Sequence, residues 1–135
     1  MPPVGLQNGT AEWQVQAWTA NGHGNWSPPT ALAISFPAPP APGSLSPKGS
    51  TTVSPPFTWN ASAGATVYYV RAYDSTGLRV DRWLTPTQVF CPSGIGVCTF
   101  NAGVTLNSGG GNWQVLAWNP SGYSPWSLTV AFVVP

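Results

Sequence analysis

Charge is what this chain has least of. Four cations (Lys48, Arg71, Arg79, Arg82) and three carboxylates (Glu12, Asp74, Asp81) make up 5% of its 135 residues. A surface for nucleic-acid phosphates needs clustered Lys and Arg, so that class of partner is excluded. General acid–base catalysis needs positioned titratable groups with separated pKa values. Beyond the three carboxylates there is one histidine, His23. Asp74 opens the turn "DSTG", where capping is its expected role. Asp81 lies beside Arg79 and Arg82 as a surface pair, and His23 falls in a turn. No glycine-rich phosphate loop and no "GxSxG" elbow is present. The sequence therefore predicts no enzyme and no cofactor.

Long apolar runs are also missing. No stretch approaches the ~20 residues that span a bilayer. The opening "MPPVGLQNGT" has neither a basic segment nor an apolar one, so no secretory leader is expected there. Either a leader has been removed and Met1 added, or the sequence is a piece of a longer chain. Cysteine is nearly absent too: only Cys91 and Cys98, in "CPSGIGVC". They are either two buried thiols or a local disulfide, and the Gly- and Pro-rich loop between them favours the disulfide. So short a loop yields ~2 kcal/mol at best on the loop-entropy model. Two cysteines and the distant His23 do not complete a tetrahedral zinc site. A disulfide with low charge points to an extracellular location.

What the chain has in quantity is glycine (15), proline (16) and tryptophan (8). Gly and Pro punctuate short apolar runs at intervals of roughly ten residues, the signature of an all-β fold. One pattern occurs twice. "WQVQAWTANGHGNWS" (13–27) returns as "WQVLAWNPSGYSPWS" (113–127), and from Leu6/Leu106 to Ser27/Ser127 ten of 22 positions are identical. Beyond that, a two-residue gap at Pro28-Pro29 sets Leu32, Ile34 and Phe36 opposite Val130, Phe132 and Val134. Both copies read as strand, turn, strand. Trp13, Val15 and Ala17 share one face of the first strand, and Gln14, Gln16 and Trp18 the other.

Between the copies, "PAPPAPG" (37–43) is a stiff, extended connector. It divides the chain into a strand pair at 1–36, the end of a preceding or incomplete repeat, and a complete module at 44–135. The complete module shows about seven short strands, the number of a Greek-key β-sandwich. "FTWNA" supplies Phe57 and Trp59 on one face. "ATVYYVRAY" sets Tyr68, Val70 and Ala72 against Tyr69, Arg71 and Tyr73. "LRVDRWL" returns after the turn as a shorter strand. "CTFNA" and the repeated pair follow.

"FTWNASAGATVYYVRAYDSTG" followed by "WQVLAWNPSGYSPWS" resembles a fibronectin type III-like (Ig-like) repeat of a secreted bacterial protein. The aromatic Trp59, the "AGAT-x-Y-x-V" entry to the third strand and the "V-x-A-x-N-x-x-G" exit from the sixth carry the likeness. It covers 44–135 and, for two strands, 6–36. The tyrosine of that family's corner is missing: Gly111 and Ala11 stand in its place. The resemblance implies that the third, fourth, sixth and seventh strands share one sheet.

Trp59, Trp113 and Trp126 are expected in the core, with Trp13 and Trp26 in the same part by repeat. The outer face of the larger sheet is expected to carry Tyr69, Arg71, Tyr73, Gln114, Trp118 and Trp83, with Trp18 at the matching place in the first copy. Such rings either cover the sheet by packing on one another or offer a flat platform to glycan. The expected role is extracellular and structural or adhesive, with either of these uses open to the aromatic face. Two alternatives stand beside it: an accessory carbohydrate-binding module of a larger secreted enzyme, and a filament subunit that assembles through residues 1–36 by strand complementation or swapping.

Overall fold

The computed structural model describes residues 9–135, and the chain divides after Phe36 into two compact units. The first eight residues lie outside the described residues, and with them the reading of the opening segment and the Leu6 match.

The second unit is built of β5 (Gly43–Ser46), β6 (Gly49–Ser50), β7 (Phe57–Asn60), β8 (Val67–Asp74), β9 (Gly77–Leu84), β10 (Val97–Phe100), β11 (Gly109–Asn119), β12 (Gly122–Tyr123) and β13 (Val130–Val134). One sheet runs β10-β7-β5. The other runs β6-β13-β11-β8-β9, with β12 paired to the end of β11. Strands three, four, six and seven of the sandwich thus share a sheet. This is an all-β, fibronectin III-like sandwich, as the sequence pattern indicates. β9 is no shorter than β8; both span eight residues. The residues read as a connector include two buried prolines, Pro39 and Pro42.

Side-chain alternation selects the core. On β8, Tyr68, Val70 and Ala72 are buried, and on β11 Trp113, Val115 and Ala117. Phe57 and Trp59 of β7 meet them from the opposite sheet. Trp113 is the hub. Phe57 packs on it at 5.0 Å with an interplanar angle of 74°, and Trp59 at 6.2 Å and 59°. Trp59 in turn stands edge-on to Tyr68 at 5.3 Å. Each such ring pair adds about 0.5–1.5 kcal/mol beyond its burial. The Trp113 indole N–H donates to the Pro47 carbonyl (3.0 Å), so its one polar atom is satisfied inside the core. Burial raises the Tyr68 pKa, opposed by the Ser62 N–H that donates to the phenol oxygen at 2.9 Å.

Cys91 and Cys98 form a disulfide with Cα atoms 5.0 Å apart. Both are buried, and Cys98 lies opposite Trp59 in the β10–β7 register.

Gly111 takes the place of the corner tyrosine because nothing larger fits. A Cβ there would lie 2.5 Å from the Phe132 ring and 2.5 Å from the Tyr73 carbonyl. Asp74 holds the β8–β9 turn. It accepts from Thr76 N (2.8 Å), Thr76 Oγ1 (2.7 Å), Asn107 N (2.8 Å) and Asn107 Nδ2 (2.9 Å). Arg79 lies 3.7 Å away. Burial alone would raise the Asp74 pKa, but the donors of Asn107 and Thr76 outweigh it and hold the carboxyl far below the usual range. Asp81, expected beside Arg79 and Arg82, pairs instead across the β8–β9 ladder with Arg71 (3.8 Å).

The first unit holds β1 (Gly9–Trp13), β2 (Gln16–Thr19), β3 (Gly22–Trp26) and β4 (Thr30–Ile34). Its register corrects the expected gap. Gly9 pairs with Ile34 and Trp13 with Thr30; Gly109 pairs with Val134 and Trp113 with Val130. The offset of 100 therefore runs unbroken, Leu32 matches Phe132, and no residues are skipped at Pro28-Pro29. A serine explains why. Ser27 N donates to the Val15 carbonyl (2.8 Å) and Ser27 Oγ accepts from Val15 N (2.9 Å); Ser127 does the same at Val115 (2.9 and 3.0 Å). These bonds fix both hairpins at Ser27 and Ser127, ahead of the point where Pro28-Pro29 stand against Leu128-Thr129. Two further differences accompany the absence, among the described residues, of a second neighbouring strand for β1 and β2, where β11 has β8. The first strand is interrupted at Gln14-Val15, whereas β11 is continuous along β8. Trp13 and Trp26, expected in a core, are 54% and 60% exposed. His23 sits in β3 opposite Trp18, not in the turn, which is Ala20-Asn21.

Two outcomes follow. Gly111→Ala should cost about 1–3 kcal/mol by overpacking. Adding Phe132→Leu, which reproduces the Ala11–Leu32 pair of the first hairpin, should restore part of it in a double-mutant cycle of chemical denaturation. The Asp74 pKa is lowered on folding, so its contribution is present above the unfolded value of about 4 and is lost as pH falls toward the folded one. The melting temperature should therefore drop on acidification below about pH 4, and Asp74→Asn should flatten that drop while lowering stability at neutral pH.

Candidate functional site

The outer face of the larger sheet is set by the same alternation that fills the core. In register across it, Trp83 of β9 lies beside Tyr69 of β8, and Tyr69 beside Leu116 of β11. Tyr69 and Trp83 stack at 4.4 Å with planes 8° apart. Trp126 lies against Tyr69 at 5.5 Å with planes tilted by 47°. Tyr123 stands 6.4 Å from Trp83 and 6.5 Å from Trp118. Five rings, from Trp126 through Tyr69, Trp83 and Tyr123 to Trp118, thus form one connected row. Trp83 is 51% exposed and Tyr123 62%.

A polar row runs beside it. Asp81, Arg71 and Gln114 occupy the next register positions. The Arg71 guanidinium lies 5.4 Å from the Tyr69 ring centroid and 3.8 Å from Asp81. Gln114 Oε1 accepts from Thr129 Oγ1 at 3.3 Å. The Tyr69 phenol is held above its ordinary pKa, first by hydrogen bonding with Asp81 and then by burial, with the Arg71 charge opposing.

Of the sequence-derived site residues, Tyr69, Trp83 and Trp118 meet in the ring row, with Arg71 and Gln114 along its edge. Tyr73 stands farther along β8, opposite Asn112 and Leu78, and joins no ring contact in the row. Trp18 belongs to the first unit, where its ring lies 6.4 Å from His23.

Two ring residues escaped the pattern. Trp126, expected in the core, is 37% exposed. Alternation fails there because residues 124–129 form no ladder. Ser124 and Ser127 turn inward, each accepting from a β11 amide, Ala117 N at 2.8 Å and Val115 N at 3.0 Å. That leaves Trp126 facing out. Tyr123 was missed as well, although a two-residue turn at Pro120-Ser121 is the signal that sets it opposite Trp118. Behind Trp126 a cleft of about 460 Å³ opens among Pro42, Leu45, Lys48, Leu128 and Val130.

Among the described residues no three His, Cys, Asp or Glu side chains cluster to hold a metal ion. No helix there is long and apolar enough to cross a membrane.

Strand order makes the second unit a fibronectin III-like sandwich. No protein-family model matches the chain, and no curated protein matches it. Among solved structures it is similar to the FN1-FN3 domains of chicken CNTN1, at 17% identity and a TM-score of 0.48, with 99% of this chain aligned. The alignment spans 44% of that chain, less than half its length.

Asp81→Asn removes the carboxylate charge that helps to keep the Tyr69 proton in place. Titration of tyrosine absorbance should show one phenol moving down toward ordinary values in that variant and not in Asp74→Asn.

Proposed function

We propose that this is a non-catalytic adhesive module of an extracellular protein and that its ring row holds a polysaccharide. The observation that carries this reading is the continuity of the row: five aromatic side chains in contact on one solvent-facing sheet surface, edged by Arg71, Asp81 and Gln114. Sugar rings present apolar C–H faces that stack on aromatic planes, while their hydroxyls take hydrogen bonds from flanking polar groups. An exposed apolar patch of this kind marks an interaction site. The sparse charge suits a neutral polymer better than a charged partner. The Cys91–Cys98 disulfide supports an oxidising, extracellular setting, and the shortage of titratable groups supports a role without catalysis.

The same surface serves the second reading, an accessory carbohydrate-binding module of a larger secreted enzyme; the two differ in what the module is attached to. The filament reading draws on the exposed apolar face of the first unit, whose cover is taken up below.

The test is affinity chromatography on insoluble cellulose, chitin and xylan. Stacking on an aromatic side chain contributes about 1–3 kcal/mol per ring in the nucleobase case, so Trp83→Ala with Trp118→Ala should reduce retention at least roughly tenfold. The melting temperature should change little, since both rings lie outside the core. A wild-type protein that passes all three columns unretarded, or a double variant retained as well as wild type, would show that these rings merely cover the sheet.

A further inference from the structure

The first unit repeats the β11–β13 hairpin in register, residue for residue at an offset of 100. It repeats the serine bonds as well. What it does not repeat is the environment. Trp113, Val115 and Phe132 are at most 1% exposed because Phe57, Trp59, Tyr68 and Val70 pack in the same core. Their counterparts Trp13 and Val15 are 54% and 59% exposed. A lone hairpin is marginal in water. The second unit therefore records what covers a face of this shape.

We infer that the hairpin of residues 9–34 is the closing half of another sandwich, and that its occupant is a half-sandwich built like residues 43–106, joined directly ahead of it in the same polypeptide. Two observations favour this occupant over a second copy of the chain. First, the half-sandwich in each copy is already filled by its own β11 and β13. Second, the sequence match begins at Leu6/Leu106, ahead of both hairpins. Leu106 is where the half-sandwich of the second unit ends, buried and bonded through its N–H to the Val53 carbonyl (2.7 Å). The likeness thus includes the junction through which such a half is attached. This inference does not depend on whether the ring row binds glycan.

The experiment fuses a second copy of residues 43–106 directly before Gln7 of the full chain and follows amide hydrogen exchange. In the fusion, the amides of residues 13–17 should be protected to the level of 113–117. In the unfused chain they should exchange at least roughly 100-fold faster than 113–117, as local opening without a packed partner allows. Trp13→Asp in the fusion should abolish the gained protection while leaving 113–117 protected, which separates loss of this interface from general misfolding. Unprotected amides at 13–17 in the fusion would overturn the inference. So would the unfused chain forming dimers on concentration in which those amides become protected, because the occupant would then be a second copy.

Discussion

The structure turns on Trp113. Its ring is met by Phe57 and Trp59 from the opposite sheet, and its N–H is satisfied by the Pro47 carbonyl. A small domain has little interior volume, and large rings fill it with few residues. With the three rings interlocked, the two sheets have one relative position. The strands flanking Trp113 then have one way to face. Tyr68, Val70 and Ala72 must turn inward on β8, so Tyr69 and Arg71 must turn outward. The displayed face is therefore a consequence of the packed one, not a separate arrangement.

Polar side chains complete what the rings begin. Asp74 gathers four donors at the β8–β9 turn, and Ser124 and Ser127 each close a backbone amide on β11. With only three carboxylates and four cations in the chain, little of this depends on long-range charge. Unpaired buried amides are costly, and short hydroxyl and carboxylate side chains close them where no strand is available. The same serines direct Trp126 outward, so the ring row gains a member from a segment outside the ladder.

Much of this was legible from residue order. Alternation along 67–74 and 113–118 separates Tyr68 from Tyr69 and Trp113 from Trp118, and the topology of the larger sheet agrees. Period two is a strong signal where a strand is paired on both sides, as β8 and β11 are. It is silent where the chain leaves the ladder, and for that reason Trp126 was misplaced. Pairing of the closing strands was misread for another cause. Hydrophobic matching let a gap at Pro28-Pro29 look reasonable, whereas hydrogen bonds from Ser27 and Ser127, invisible to a hydrophobic pattern, keep both copies in step. The exposure of Trp13 could not be read from its equivalence to Trp113, because burial belongs to the neighbours of a residue and not to the residue.

The glycine-phenylalanine pair at 111 and 132, against alanine-leucine at 11 and 32, makes each hairpin a matched set. Repeated segments in a gene recombine with one another. A crossover inside the hairpin would join the strand bearing Ala11 to the strand bearing Phe132, which clash, or Gly111 to Leu32, which leaves a hole. A crossover in the stretch between the hairpins keeps each pair together. Steric matching across two strands thus dictates where duplicated copies of this sequence can be cut and rejoined, and it makes the hairpin the smallest unit that can be inherited whole.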